Sequence, residues 1–228
     1  MSAYTKTFMS METGSRPQLD PRTADVLTAD SRLLSDLSHR EPGIVRGPLM
    51  TRRQHWTRTG RHLCSPHIAP SPSTEAHFAA PSSRFINGPE VKPSHGGLYT
   101  STVTSCGYSM WRALLGPHGS SLYPLPWYTW NLTVTRRITV VEIDSAACWV
   151  DFVSSYPHVS DGSVYPDWPR ISKEFDGVHI TLPLIAAAQG FSFHTSCGTI
   201  PPAFWDVETT FWLRWCFSRA DLVEAVPA

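Results

Sequence analysis

The run Trp205-Asp206-Val207-Glu208-Thr209-Thr210-Phe211-Trp212-Leu213-Arg214-Trp215-Cys216-Phe217 joins β-branched and aromatic residues without a single Gly or Pro, and it predicts one long strand. Successive side chains on a strand face opposite ways, so two sets separate. Val207, Thr209, Phe211, Leu213 and Trp215 form an apolar set; Asp206, Glu208, Thr210 and Arg214 lie opposite, with Trp212 among them. A carboxylate in the middle of so apolar a strand is costly to bury alone, so Glu208 is either paired, with Arg214 as the nearest candidate, or put to use.

Of the nine tryptophans only Trp56 precedes residue 84, which assigns the core to the later two-thirds of the chain. Residues 1–82 carry scattered Arg, Ser, Thr and Pro, including the linker-like Ser65-Pro66-His67-Ile68-Ala69-Pro70-Ser71-Pro72-Ser73, and read as a disordered or weakly structured tail. One short helix within it is expected between Thr23 and His39, behind Asp20 and Pro21. Residues 83–228 then form a single domain. Lys and Arg total 19, as do Asp and Glu, and the excess of acid falls after residue 83. Bulk charge therefore excludes a general nucleic-acid-binding surface.

Along the domain, Arg84-Phe85-Ile86 is a candidate strand and Leu98 to Val103 another. Ser109 to Leu115 is a helix ended by Gly116-Pro117, and Leu122 to Trp130 is too rich in Pro and aromatics for regular structure. Arg137 to Asp144 is a strand, followed by a helix capped from Asp144 or Ser145. Asp167 caps a second helix, Phe175 to Thr181 is a strand, and Leu184 to Gln189 is helical up to Gly190. Five or six strands and three or four short helices in mixed order make an α+β fold.

The five cysteines are odd in number and include no Cys-x-x-Cys, which favours reduced thiols. No apolar leader follows Met1 and no segment of ~18 apolar residues occurs, so the expectation is a cytoplasmic chain, or one delivered into another cell, with no membrane contact. Gly-x-Gly-x-x-Gly, Gly-Lys-Ser/Thr and Gly-x-Ser-x-Gly are all absent, and no His/Cys group has zinc spacing.

What remains is an order of residues: Arg84, then His95-Gly96-Gly97-Leu98-Tyr99-Thr100-Ser101-Thr102, then the acidic strand holding Glu208. A basic or imidazole group, an aromatic before Thr/Ser/Thr, and a late strand glutamate in that order resemble the ADP-ribosyltransferase superfamily, over about residues 84–217. The resemblance implies a split α+β sheet clasping NAD as co-substrate, with a protein or nucleic-acid acceptor, or water. It also implies that Glu208 is the catalytic glutamate, supporting the ribose next to nicotinamide while an oxocarbenium-like charge develops. Thr100, Ser101 and Thr102 correspond to the hydroxyl motif beside it. Gly97 could offer its backbone to the nicotinamide amide, and Tyr99 or Tyr108 could stack on the ring. Arg84 and His95 are both candidates for the first motif; Arg84 sits at the better distance and suits a diphosphate. Asp206 stands where arginine-modifying members carry a second glutamate, one methylene shorter than expected.

Without the resemblance, Thr100 to Thr102 are ordinary strand residues, Tyr99 and Tyr108 ordinary core or rim aromatics, Asp176 a turn residue and His179 a satisfied core histidine. Two other readings stand beside the transferase. One is a glycoside hydrolase-like enzyme pairing Glu208 with Asp206, Asp176 or Glu174. The other is a non-enzymatic binding or structural protein, with segments 123–130 and 205–217 as core and recognition surface.

Overall fold

The computed structural model describes residues 20–29, 35–36, 39–40, 53–59, 90–93, 97–115, 124–135 and 137–227. Its elements are α1 (Pro21–Ala29), β1 (Arg53–Thr59), β2 (Leu98–Thr102), α2 (Met110–Leu115), β3 (Trp127–Val134), β4 (Val140–Ile143) and α3 (Ala146–Ser155). They continue as β5 (Pro157–Ser160), β6 (Ser163–Pro166), α4 (Trp168–Glu174), β7 (Gly177–Ile180), α5 (Leu182–Ala188), β8 (Phe193–Thr195), β9 (Gly198–Ile200), β10 (Thr209–Trp212) and β11 (Phe217–Val226). A seven-stranded sheet has the order β11-β3-β1-β2-β10-β7-β4, antiparallel except for β4 beside β7, and a four-stranded sheet has the order β5-β6-β9-β8. The fold is α+β.

The segment expected to form one long strand is two. β10 lies in the interior of the large sheet between β2 and β7, whereas β11 is its edge strand beside β3. The chain must cross from one position to the other, and it does so in the bend at 213–216, held by Leu213 N–H on Asp176 O and Thr135 N–H on Cys216 O. All four residues of β10 are buried, so neither face meets solvent. Phe211 joins a large core with Trp149, Phe152, Trp168, Ile180 and Trp205, under the helices and the small sheet. Trp212, its neighbour in sequence, points the other way into a smaller core with Leu132, Val134, Cys216 and Phe217.

Two pieces of the expected tail are part of this architecture. β1 is an inner strand between β2 and β3, and Ala24 on α1 is buried in the large core. α1 begins at Pro21, two residues before the start expected, with the Asp20 carboxylate accepting from Thr23 N–H at 3.0 Å. Asp25 does more: its two oxygens accept from Ala146 N–H (2.6 Å) and Ala147 N–H (3.0 Å), so α1 caps the N-terminus of α3. A boundary near residue 82 therefore does not divide tail from domain. β1 is hidden in the sequence because its buried residues, Gln54, His55 and Thr57, are polar and are satisfied by hydrogen bonds instead of being apolar.

Three further expectations change. Trp127 to Trp130 belongs to β3 and not to a loop, since the aromatics after Pro126 pair with both β1 and β11. The strand expected at 137–144 starts only at Val140, after Arg137 takes a positive φ of 68°. The five or six strands expected become eleven among the described residues, with the hairpin β5–β6 and the pair β8–β9 among the additions. The caps at Ser145 and Asp167 are as expected, accepting from Cys148 N–H and Arg170 N–H.

Candidate functional site: a buried polar network on Glu208

Glu208 immediately precedes β10 and its side chain is fully buried, on the same sheet face as Thr210 and Trp212. Register decides its neighbours. Thr210 lies opposite Thr100 on β2 and opposite His179 on β7; His179 in turn lies opposite Glu142 on β4; Gln54 on β1 lies opposite Thr102. Five adjoining strands thus turn polar groups toward one interior line.

Those groups are bonded into one network. Thr102 N–H donates to Glu208 Oε2 at 2.9 Å, and the Thr102 hydroxyl donates to Oε1 at 2.7 Å. His179 Nε2 lies 2.9 Å from the same Oε1, and His179 Nδ1 lies 3.0 Å from Glu142 Oε2. Gln54 Nε2 donates to the Thr102 hydroxyl (3.2 Å), the Thr100 hydroxyl donates to Gln54 Oε1 (2.7 Å), and Trp212 Nε1–H donates to the Thr100 hydroxyl (2.7 Å). Ser101, on the opposite face, donates its hydroxyl to the Glu208 carbonyl at 2.7 Å. The hydroxyl of Thr210, beside these groups, has no hydrogen-bond partner among the described residues.

Both ring nitrogens of His179 face carboxylate oxygens. Ionised carboxylates only accept, so both nitrogens act as donors and the ring is an imidazolium. Burial is the largest single influence on it and opposes the charge, but hydrogen bonds and charges from Glu142 and Glu208 together outweigh burial and raise its pKa to about 9. His55 on β1 is the contrast: burial first, then the charge of Arg112, lowers its pKa to about 4, and its Nδ1 meets the Ser109 hydroxyl at 3.2 Å. His179 is the satisfied buried histidine expected from its strand, with the added feature of two acidic partners.

Of the residues singled out in the sequence, Thr100, Ser101, Thr102 and Glu208 come together. Tyr99 does not join them: its ring stacks on Phe211 (centroids 4.5 Å apart) and its hydroxyl donates to Pro93 O at 2.5 Å, so it is a core ring and not a free stacking surface. Gly97 is required for packing. Its φ is +69°, and a Cβ there would lie 2.2 Å from Phe211 Cε2. Asp206 is half-exposed and faces Lys92 Nζ at 4.0 Å, away from the network. Tyr108 is exposed beneath the Arg112 guanidinium, 4.3 Å from the ring centroid. Arg84 and His95 lie outside the described residues.

The partners first expected for Glu208 are engaged elsewhere. Arg214 donates to Asp176 Oδ1 at 2.9 Å, because the bend after β10 carries it to the turn before β7. Glu174 accepts from the Tyr156 hydroxyl, and Asp176 also accepts from Thr139 N–H. Asp206, Asp176 and Glu174 therefore form no carboxylate pair with Glu208. Glu142, the carboxylate nearest to it in the network, is separated from it by an imidazole. Glu142 and Gln54 were missed; the one available signal was a glutamate in the otherwise apolar run Val140-Val141-Glu142-Ile143.

A cleft of about 360 Å³ lies elsewhere, against α2, β3 and β11, lined by Tyr108, Arg112, Leu115, Trp127, Thr129 and Glu224 among others. Arg112 and Glu224 are joined there at 2.9 Å. No helix among the described residues is long and apolar enough to cross a membrane. Comparison with protein-family models, with curated proteins and with solved structures finds no match to this chain.

Proposed function

We propose that the chain is an NAD-dependent ADP-ribosyltransferase, or an NAD glycohydrolase, with Glu208 as its central carboxylate. One observation carries the reading: the Thr-Ser-Thr run and the late glutamate, 106 residues apart, adjoin through two hydrogen bonds from Thr102 to the Glu208 carboxylate. In the reaction the bond from nicotinamide nitrogen to ribose C1 breaks, and nicotinamide leaves with the electron pair. Water or an acceptor nucleophile adds at C1 and gives up a proton. Glu208 would stabilise the positive charge on the ribose between the two events, and a carboxylate already fixed by donors needs no reorganisation to do so. NAD must reach a carboxylate that is fully buried, so the reading requires the site to open on binding.

That burial favours a second reading, in which the network is a structural tie across the sheet and the chain is a non-enzymatic module. Its recognition surface would not be the aromatics of 205–217, since Trp205 and Trp212 are buried. Calorimetric titration with NAD, together with chromatography of released nicotinamide in the presence and absence of cell lysate, separates the two. Saturable binding with release supports the transferase or glycohydrolase. Neither binding nor release leaves the module.

A further inference from the structure

The imidazole of His179 is the link between the buried end of the network and its outer end. Glu208 is wholly enclosed, whereas the Glu142 side chain is 32 % exposed. Between them, His179 is held at both nitrogens, at 3.0 and 2.9 Å, and its ring has no rotational freedom without losing a charged hydrogen bond. The arrangement follows from register: Glu142 and His179 are directly opposed across the parallel pair β4–β7, and Glu208 lies just before the next strand, β10, whose Thr210 is opposed to His179. A carboxylate required to meet a ribose within a fraction of an ångström is useful only if its own rotamer is locked. Thr102 locks Glu208 from the β2 side. A second support comes from β7.

We infer that Glu142 and His179 are a positioning pair for Glu208: Glu142 fixes the imidazolium, and the imidazolium fixes Oε1 of Glu208 and gives that carboxylate a counter-cation for as long as the ring is protonated. Neither residue touches substrate. The inference rests on the transferase reading for its catalytic consequence, but the pairing itself does not. The titratable groups that the described residues set against His179 are Glu142 from β4 and Glu208 from the connection before β10; β10 itself adds only the uncharged Thr210.

The test uses the full chain in three forms, wild type, Glu142→Gln and His179→Gln. Proton NMR of the histidine ring signals is the first arm. One signal titrates near pH 9 in the wild type, is absent in His179→Gln, and moves to lower pH by about one unit or more in Glu142→Gln. The pH profile of nicotinamide release is the second arm. Its alkaline limb, set by loss of the imidazolium, moves down with the NMR signal in Glu142→Gln, so that turnover falls about tenfold at alkaline pH, with KM little changed. Glu142 is partly exposed and its replacement is isosteric, so this variant folds even where His179→Gln does not. An unmoved histidine signal in Glu142→Gln overturns the pairing. A moved signal with an unmoved rate profile overturns the positioning role. Wild type that releases no nicotinamide, with the signal moving as stated, sinks the transferase reading and leaves the pairing standing as a structural one.

Discussion

Thr102 grips Glu208 twice, through its backbone N–H to Oε2 at 2.9 Å and through its hydroxyl to Oε1 at 2.7 Å. The same hydroxyl accepts from Gln54, which ties β1 into the grip. Thr102→Val preserves shape and the backbone donor but removes the hydroxyl, leaving a buried carboxylate one donor short and Gln54 without its acceptor. Urea unfolding should show a loss of about 2 to 3 kcal/mol, with Thr102→Ser recovering most of it.

The charge on His179 gives the fold a definite alkaline sensitivity. Its pKa in the fold, about 9, exceeds the value of 6.5 it has when unfolded. A raised pKa contributes stability that is complete below pH 6.5 and is lost as pH rises through about 9. Denaturant midpoints measured from pH 6 to 10 should fall across that window in the wild type and fall less in His179→Gln. His55 acts at the other end. Its pKa, lowered by burial and then by Arg112, makes its contribution complete above 6.5 and lost as pH falls toward about 4, so His55→Gln should flatten the acid side.

Thr210 carries a buried hydroxyl with no partner among the described residues, in register between His179 and Thr100. Thr210→Val replaces that hydroxyl with a methyl of the same shape. An unpartnered buried hydroxyl costs on the order of 1 to 3 kcal/mol, so the variant should be as stable as the wild type or more so, the reverse of Thr102→Val although the two sites adjoin.

Asp25 reaches from α1 to the first two backbone N–H groups of α3. Asp25→Ala leaves both unsatisfied at a positive helix end, and a thermal melt should register a loss of about 1 to 2 kcal/mol. Removing residues 1–50 should cost more, because Ala24 and the packing of α1 go as well.

The parts of the fold written in local chemistry were legible: caps at Ser145 and Asp167, helices after them, and strands at Leu98 to Thr102 and Gly177 to Ile180. What failed was non-local. Arg53 to Thr59 holds a single large apolar residue, Trp56, too little to announce an inner strand, because its burial is secured by polar partners such as Thr102, Ser109 and Thr129, remote in sequence. The run 205–217 has strand propensity throughout, yet its break is dictated by where β10 and β11 must lie in the sheet. Likewise, Glu208 was conspicuous as a carboxylate in an apolar run, while its partner His179 was recognisable only as a core histidine and Glu142 not at all. Strand order, which brings them into line, is a property of the whole chain.

Nicotinamide release from NAD by wild type and by Glu208→Gln, each shown by its melt to be folded, tests the central claim most directly. Gln keeps the shape and, through its one carbonyl oxygen, an acceptor for one of the two Thr102 donors, but not the charge. The account predicts release by the wild type and a loss of about a hundredfold or more in the variant. Equal rates in the two proteins, or no release by the wild type with or without lysate, would contradict it.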